Sequence, residues 1–111
     1  MRCLMKVRMP IEQTNHTIQE GKLAQTLQQI LAEIKPECAY FTTEDGERTA
    51  YIFCDMPDPS FMPKFAEPFF LAFNARVDFQ PAMVAEDLMK AGPAIEHAAK
   101  TYGRRAPALT R

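Results

Sequence analysis

The sequence predicts an α+β fold with one four-stranded antiparallel sheet, two helices on one face of that sheet, and a C-terminal helical extension. Three observations support this prediction. Apolar residues alternate with polar ones in the first and last strand segments, they recur with a helical period in other segments, and an Asp-Gly pair separates two runs rich in aromatic and β-branched residues. The length of 111 residues and the hydrophobic content of 47% fit one globular domain.

The first predicted strand runs from Arg2 to Met9. Its side chains alternate between an apolar side and a mostly basic side, which is the pattern of a half-buried antiparallel strand. The apolar side holds Cys3, Met5, Val7 and Met9, and the other side holds Arg2, Leu4, Lys6 and Arg8. Pro10 ends the strand because proline has no N–H to donate to a neighbouring strand.

The segment from His16 to Lys35 has the period of an amphipathic helix, and Asn15 is its expected N-cap. Gly21 lies off the apolar stripe and is expected to lower helix stability by ~1 kcal/mol relative to alanine. Pro36 cannot continue a helix, so the helix is expected to end before it. The stripe contains Leu23, Leu27, Ile30, Leu31 and Ile34.

The stretch from Glu37 to Asp58 predicts a β-hairpin. Asp45 and Gly46 separate two runs rich in aromatic and β-branched residues, and a two-residue primed turn needs positive φ at both central positions. A three-residue bulged loop is the alternative, because it would avoid placing two glutamates opposite each other. Both faces of the hairpin are apolar, so both need cover. The tight turn would pair Glu44 with Glu47, Thr42 with Thr49, Tyr40 with Tyr51 and Cys38 with Phe53.

A second helix is predicted to begin at Asp58-Pro59-Ser60, with a capping aspartate and a proline in the first turn. Pro68 removes a hydrogen bond within this helix and is expected to bend or interrupt it. The helix is expected to end at Asn74-Ala75. Its apolar stripe is aromatic and consists of Phe61, Phe65, Phe69 and Phe73.

The last predicted strand covers residues 76–84, and Pro81 within it indicates an edge position or the end of regular pairing. Two helical segments, 85–91 and 94–102, follow it, and a short basic tail ends the sequence. The chain therefore divides into two predicted regions: a sheet-and-helix domain at 1–88, and a C-terminal helical extension with a basic tail at 89–111.

This order of elements is the ferredoxin-like βαββαβ pattern. The two helices supply apolar stripes to one face of the sheet, and no segment is left to cover the other face. Tyr40, Tyr51 and Phe53, or their neighbours of opposite parity, lie on that open face. An exposed aromatic patch of this size usually marks an interface. We therefore expect a C2 homodimer in which the two open faces pack together.

The span from Met1 to about Leu88 resembles the dimeric α/β-barrel superfamily, and within it the small uncharacterised members. The resemblance rests on the element order, the Glu20-Gly21-Lys22 step and the turn at Asp55-Met56-Pro57-Asp58-Pro59. It implies a homodimer whose two sheets form a barrel. The superfamily includes cofactor-independent quinol monooxygenases, haem-degrading enzymes, muconolactone isomerase-like enzymes and stress-responsive proteins, but their catalytic motifs do not match this chain residue by residue.

Composition argues against several classes of partner. The net charge of −1 gives no field to attract nucleic acid or an anionic membrane. No apolar run approaches the ~18 residues of a membrane span, and the cations near the start interrupt any signal-peptide segment. The three cysteines lack paired CxxC spacing, so we expect reduced core residues in a cytoplasmic protein, with no metal and no cofactor.

His16 and Glu20 are the first catalytic candidates. On the predicted helix they lie four residues apart on the core-facing side, where the carboxylate would orient the imidazole and raise its pKa. The alternative is that the two residues lie at a solvated helix end and have no catalytic role. Tyr51 is the third catalytic candidate, because Tyr40 and Tyr51, paired across the hairpin, could donate hydrogen bonds to a carbonyl ligand; the alternative is that both only pack and hydrogen-bond the backbone. His97 is expected to be a surface or packing residue, with a haem ligand as the alternative.

Tyr40, Phe65 and Phe69 are the candidates for ligand contacts. Seven methionines and eight phenylalanines indicate an adaptable core, and such cores sometimes hold flat hydrophobic ligands. We therefore expect a small homodimer that binds a small hydrophobic or aromatic molecule between sheet and helices. The alternatives are a cofactor-independent monooxygenase or isomerase-like enzyme, and a purely structural or regulatory interaction protein.

Overall fold

The computed structural model describes residues 1–104, and the tail from residue 105 onward lies outside them. The strands are β1 at Arg2–Met9, β2 at Cys38–Glu44, β3 at Glu47–Asp55 and β4 at Arg76–Pro81. They form one antiparallel sheet in the order β2-β3-β1-β4, which confirms the predicted four-stranded antiparallel sheet. Pairing in the last strand ends at Pro81, three residues earlier than predicted.

Five α-helices lie within the described residues, so the fold belongs to the predicted α+β class. A 3₁₀ turn at Pro59–Phe61 precedes the third helix, and the Asp58 side chain accepts a hydrogen bond from the Ser60 amide at 2.9 Å. This is the capping role expected for that aspartate. The helices are α1 at Ile11–Gln19, α2 at Leu23–Ile34, α3 at Met62–Phe73, α4 at Ala85–Lys90 and α5 at Gly92–Tyr102.

The sequence predicted one helix from His16 to Lys35. This prediction is wrong, because two helices, α1 and α2, occupy this part of the chain. The first begins directly after Pro10, which is its N-cap, so Asn15 lies inside a helix instead of capping one. Gly21 then adopts a positive φ of 71° and ends the first segment. Glycine takes this conformation without the steric penalty that a Cβ would bring. The apolar stripe of α2 therefore does not continue backwards into α1.

The hairpin follows the predicted register. Asp45 and Gly46 have φ values of 52° and 77°, as a two-residue primed turn requires. Glu44 faces Glu47 and Tyr40 faces Tyr51, so the bulged alternative is not adopted. The side chains of β2 and β3 therefore alternate between the helix-covered face and the open face of the sheet as expected.

The covered face is the apolar core. Met5 and Val7 are completely buried on β1, and Phe69 and Phe73 from α3 are completely buried against the sheet. Of the bend or interruption predicted at Pro68, the interruption does not occur, because helix α3 runs through this residue as one element. All three cysteines are free thiols. Desolvation raises the pKa of the buried Cys54 to about 11, so this side chain is an apolar thiol at neutral pH.

The opposite face is only partly covered. Tyr40 is 64% exposed there, and Leu4, Tyr51 and Phe53 are half-buried. The C-terminal arm, which consists of α4 and α5, contains no buried residue. Two apolar surfaces of the described chain are thus open to solvent: the second face of the sheet, and the arm.

Candidate functional site

A groove of about 380 Å³ lies between the first half of α2 and the sheet. Its volume is at the lower end of the range of about 300–1,000 Å³ found for small-molecule sites. Most of the wall is apolar, and the groove is lined by Met9, Leu23, Leu27, Phe41, Thr42, Arg48 and Thr49.

The groove exists because α2 does not reach the outer strand of the sheet at this point. Phe41 on β2 is in register with Ala50, a completely buried residue of the helix-covered face. Phe41 therefore points to the same side as the core, yet it is 52% exposed. The space between its ring and the side chains of Leu23 and Leu27 forms the body of the groove.

Arg48 is the charged residue in the wall of the groove. It faces Met9 across the β1–β3 pair, which places it on the helix-covered side of the sheet. Its Nη2 donates a hydrogen bond to Asn15 Oδ1 at 2.9 Å. Its Nη1 is buried and has no hydrogen-bond partner among the described residues. The neighbouring Thr49 hydroxyl donates to the Glu47 carbonyl at 3.1 Å, and Nη1 makes no hydrogen bond to it.

A second depression, also of about 380 Å³, lies on the open face of the sheet. Tyr51 forms part of it, and the Lys6 ammonium lies 5.6 Å from the centre of the Tyr51 ring. This distance is within the range of a cation–π contact. The depression is lined by Leu4, Lys6, Tyr40, Tyr51, Phe53 and Gln80.

An ion-pair cluster around Glu44 adjoins this second depression. Glu44 accepts hydrogen bonds from the Tyr51 hydroxyl, from Arg8 and, at 3.2 Å, from Lys6. The hydrogen bond from Tyr51 lowers the pKa of Glu44 most, and with Lys6 and Arg8 it brings that pKa to about 2. The same hydrogen bond raises the pKa of Tyr51, so at neutral pH the proton stays on the phenol oxygen, which donates it in a hydrogen bond to the ionised Glu44.

The cluster also explains how two glutamates face each other beside the turn. While Glu44 is paired with Lys6 and Arg8, Glu47 is paired with Arg76 at 2.9 Å and lies 4.0 Å from Arg8. Each carboxylate is therefore paired with a cation, Arg8 lies close to both, and the like-charge repulsion is offset. The hairpin sequence alone does not predict this pairing, since the cations come from β1 and β4.

The structure does not bring His16 and Glu20 together on the core side. Both are exposed, and the buried residues of α1 are Thr14 and Thr17. The predicted inward placement is wrong because Gly21 interrupts the helix, so the phase of α2 cannot be extended into α1. His16 instead lines a surface depression with Asn15 and other polar residues.

The remaining candidates occupy three different places. Tyr40 and Tyr51 lie side by side on the open face, at a distance from α1 in the fold because the sheet separates them. Phe65 and Phe69 are 4% and 0% exposed in the core and do not line the groove. His97 is exposed on α5, where its Nε2 lies 3.5 Å from the Thr101 hydroxyl.

Sequence reasoning missed Arg48 and Phe41 as site residues. The signal for Arg48 was present, because the hairpin register puts a basic residue on the same side as Ala50 and Ile52. A charged residue on an otherwise apolar strand face needs either a partner or a route to solvent. The gap beside Phe41 had no such signal, since it depends on how far α2 lies from β2.

Within residues 1–104, no group of three or more histidine, cysteine, aspartate or glutamate side chains is placed to hold a metal ion. None of the helices in that range is both long and apolar enough to cross a membrane. Comparisons of the chain with protein-family models, with curated proteins and with solved structures found no match.

Proposed function

We propose that this chain is a small homodimeric protein that binds a small hydrophobic or aromatic molecule in the groove between α2 and the sheet. The observation that carries the proposal is the half-exposed ring of Phe41 on the core side of the sheet, opposite Leu23 and Leu27. An apolar ligand placed there would remove all three side chains from water. Such burial contributes roughly 25 cal/mol per Å² of apolar surface.

The chemistry of the groove suits a flat ligand. The Phe41 ring offers a face or an edge for stacking, and aromatic pairs gain more than their buried area alone. Met9 lines the floor, and its thioether favours contact with aromatic rings. The leucines on α2 close the opposite side. A ring system of one or two fused rings fits the volume of about 380 Å³.

The proposal includes the ferredoxin-like topology and the dimeric α/β-barrel arrangement. In its support, the sheet order is β2-β3-β1-β4, and the buried residues of β1 and β3 point to the helix side, except Thr49, which faces Arg8 on the open side. The open face presents Leu4, Tyr40 and Phe53 beside an ion-pair cluster of both charge signs. A second copy related by a two-fold axis would supply matching apolar and charged surface.

The C-terminal arm is a second surface for the same partner. Ile95, Ala99 and Tyr102 follow one another at helical spacing on α5, and Ile95 and Tyr102 are 55% and 81% exposed. We place the protein in the cytoplasm, because the three cysteines are free thiols and a reducing compartment keeps them so.

The groove is tested with 2-naphthol, a neutral fluorescent probe of suitable size. We expect the wild-type protein to bind it and Leu27→Glu to bind it at least about tenfold more weakly, since a carboxylate would enter an apolar wall. Phe41→Ala, a change at a half-exposed side chain that leaves the core intact, is expected to weaken binding several-fold.

The matched control is Leu71→Glu on α3, because Leu71 is 80% exposed and lies outside the groove. Its affinity for 2-naphthol should equal that of the wild type. Equal affinities in all four proteins would show that the probe binds elsewhere, and absence of binding to the wild type would contradict the proposed function. Circular dichroism confirms that each variant is folded.

A further inference from the structure

We infer that the ligand of the groove bears a carboxylate, and that Arg48 is the residue that binds it. The inference rests on the proposed function, which assigns only an apolar or aromatic body to the ligand. It adds a chemical class: an aromatic or short aliphatic carboxylic acid in its ionised form.

The first reason is that the Arg48 cation has no counter-ion in the described structure. The ion pairs of residues 1–104 engage Arg2, Lys6, Arg8, Arg76, Lys100 and the N-terminus, and Arg48 takes part in none of them. Arginine cannot lose its proton to relieve this situation. A partly buried cation beside apolar walls is therefore best stabilised by an anion that arrives from outside the chain.

The second reason is the geometry of the guanidinium group. Nη2 donates a hydrogen bond to Asn15, which ties the group to α1. Nη1 is buried with both of its N–H groups unpaired, in a residue that lines the groove. A carboxylate accepts parallel N–H groups in one plane, so a ligand that turned the guanidinium group towards the groove would pair Nη1.

The start of α2 adds positive potential at the same place. Leu23 is the first residue of this 12-residue helix and lines the groove, and the N-cap residue Lys22 makes no side-chain capping hydrogen bond. The free backbone N–H groups of a first turn carry partial positive charge that favours an anion. The apolar body of the ligand would then extend along Leu27 and Phe41.

The test compares 2-naphthoate with 2-naphthol, which share the ring system and differ in charge. Wild-type protein is expected to bind 2-naphthoate at least about tenfold more tightly, the factor typical of a charge-assisted hydrogen bond. In Arg48→Met this preference should disappear, so that the two probes bind with equal affinity. Arg48→Lys, which keeps the charge but loses the planar fork, should retain part of the preference.

Arg104→Met is the matched control, because it removes one positive charge from an exposed site outside the groove and should leave both affinities unchanged. Equal binding of the two probes to the wild type, or an equal loss of both in Arg48→Met, would overturn the inference and leave the proposed function standing. If neither probe binds the wild type, the proposed function fails with it. Isothermal titration calorimetry on the full chain measures the affinities of both probes and so distinguishes these outcomes.

Discussion

The two faces of the sheet are built from neighbouring residues of the same strands, but they are covered in different ways. On β1, Met5 and Val7 are completely buried under the helices, whereas Lys6 and Arg8 keep 32% and 21% of their side-chain surface exposed. One face is closed by apolar packing from α2 and α3. The other is held by ion pairs around Glu44 and leaves an aromatic patch half in water.

The difference shows which face determines the fold of the single chain and which is available for a partner. Apart from the groove beside Phe41, apolar burial on the helix side is close to complete, so the stability of the domain is expected to come mainly from there. The open face contributes partly exposed ion pairs, which stabilise the fold less than buried apolar packing does. Its aromatic residues would contribute more to stability if a second surface removed them from water.

The largest expected effect is the loss of a ring from the covered face. Phe69→Ala should lower the free energy of unfolding by about 3–5 kcal/mol, because Phe69 is completely buried and the change leaves a cavity. Phe70→Ala is the matched control, since Phe70 is 39% exposed on the same helix and its loss should cost much less. Urea titration measures both. Similar losses in the two variants would show that the covered face is not the core.

A smaller effect, dependent on pH, is expected on the open face. The pKa of Glu44 is about 2 in the folded chain, against an ordinary value of 4.5. A lowered pKa means that the ionised form stabilises the fold, so its contribution is complete above about pH 4.5 and is lost as the pH falls towards 2.

The measurement is urea unfolding of wild type and Glu44→Gln at several pH values. The difference between them should be steady near neutral pH and should shrink between pH 4.5 and 2. Glu67→Gln, an exposed change on α3, is the control and should leave the stability nearly unaltered at every pH. A difference for Glu44→Gln that does not vary with pH would mean that the cluster does not hold this carboxylate ionised.

Local patterns in the sequence predicted most of the covered face. The alternation in β1, the Asp45-Gly46 turn and the phenylalanine stripe each depend on residues close together in the chain, and each appears in the structure. Gly21 was misjudged, because the apolar spacing of α2 contains no information on whether a glycine takes a positive φ. Because the apolar stripe of α2 was extended backwards across Gly21, His16 was predicted to lie on the core-facing side of its helix, whereas it is exposed.

The candidate site was harder to predict, because it depends on distances between elements. Whether Phe41 is covered is decided by the separation of α2 from the edge of the sheet, and no local pattern encodes that separation. The hydrogen bonding of Arg48 likewise depends on Asn15, a residue 33 positions away in the chain. The hairpin register places both residues on the correct face, but only the three-dimensional structure shows the space between them.

The most direct test of the account concerns the open face. Native mass spectrometry of the full chain at micromolar concentration should show a species of twice the chain mass of 12.6 kDa. Tyr40→Glu, which puts a charge in the aromatic patch, should shift it to the monomer, and Leu71→Glu on the far side should remain dimeric. A monomeric wild-type protein, or a dimer that Tyr40→Glu does not weaken, would contradict the claim that a second copy covers this face.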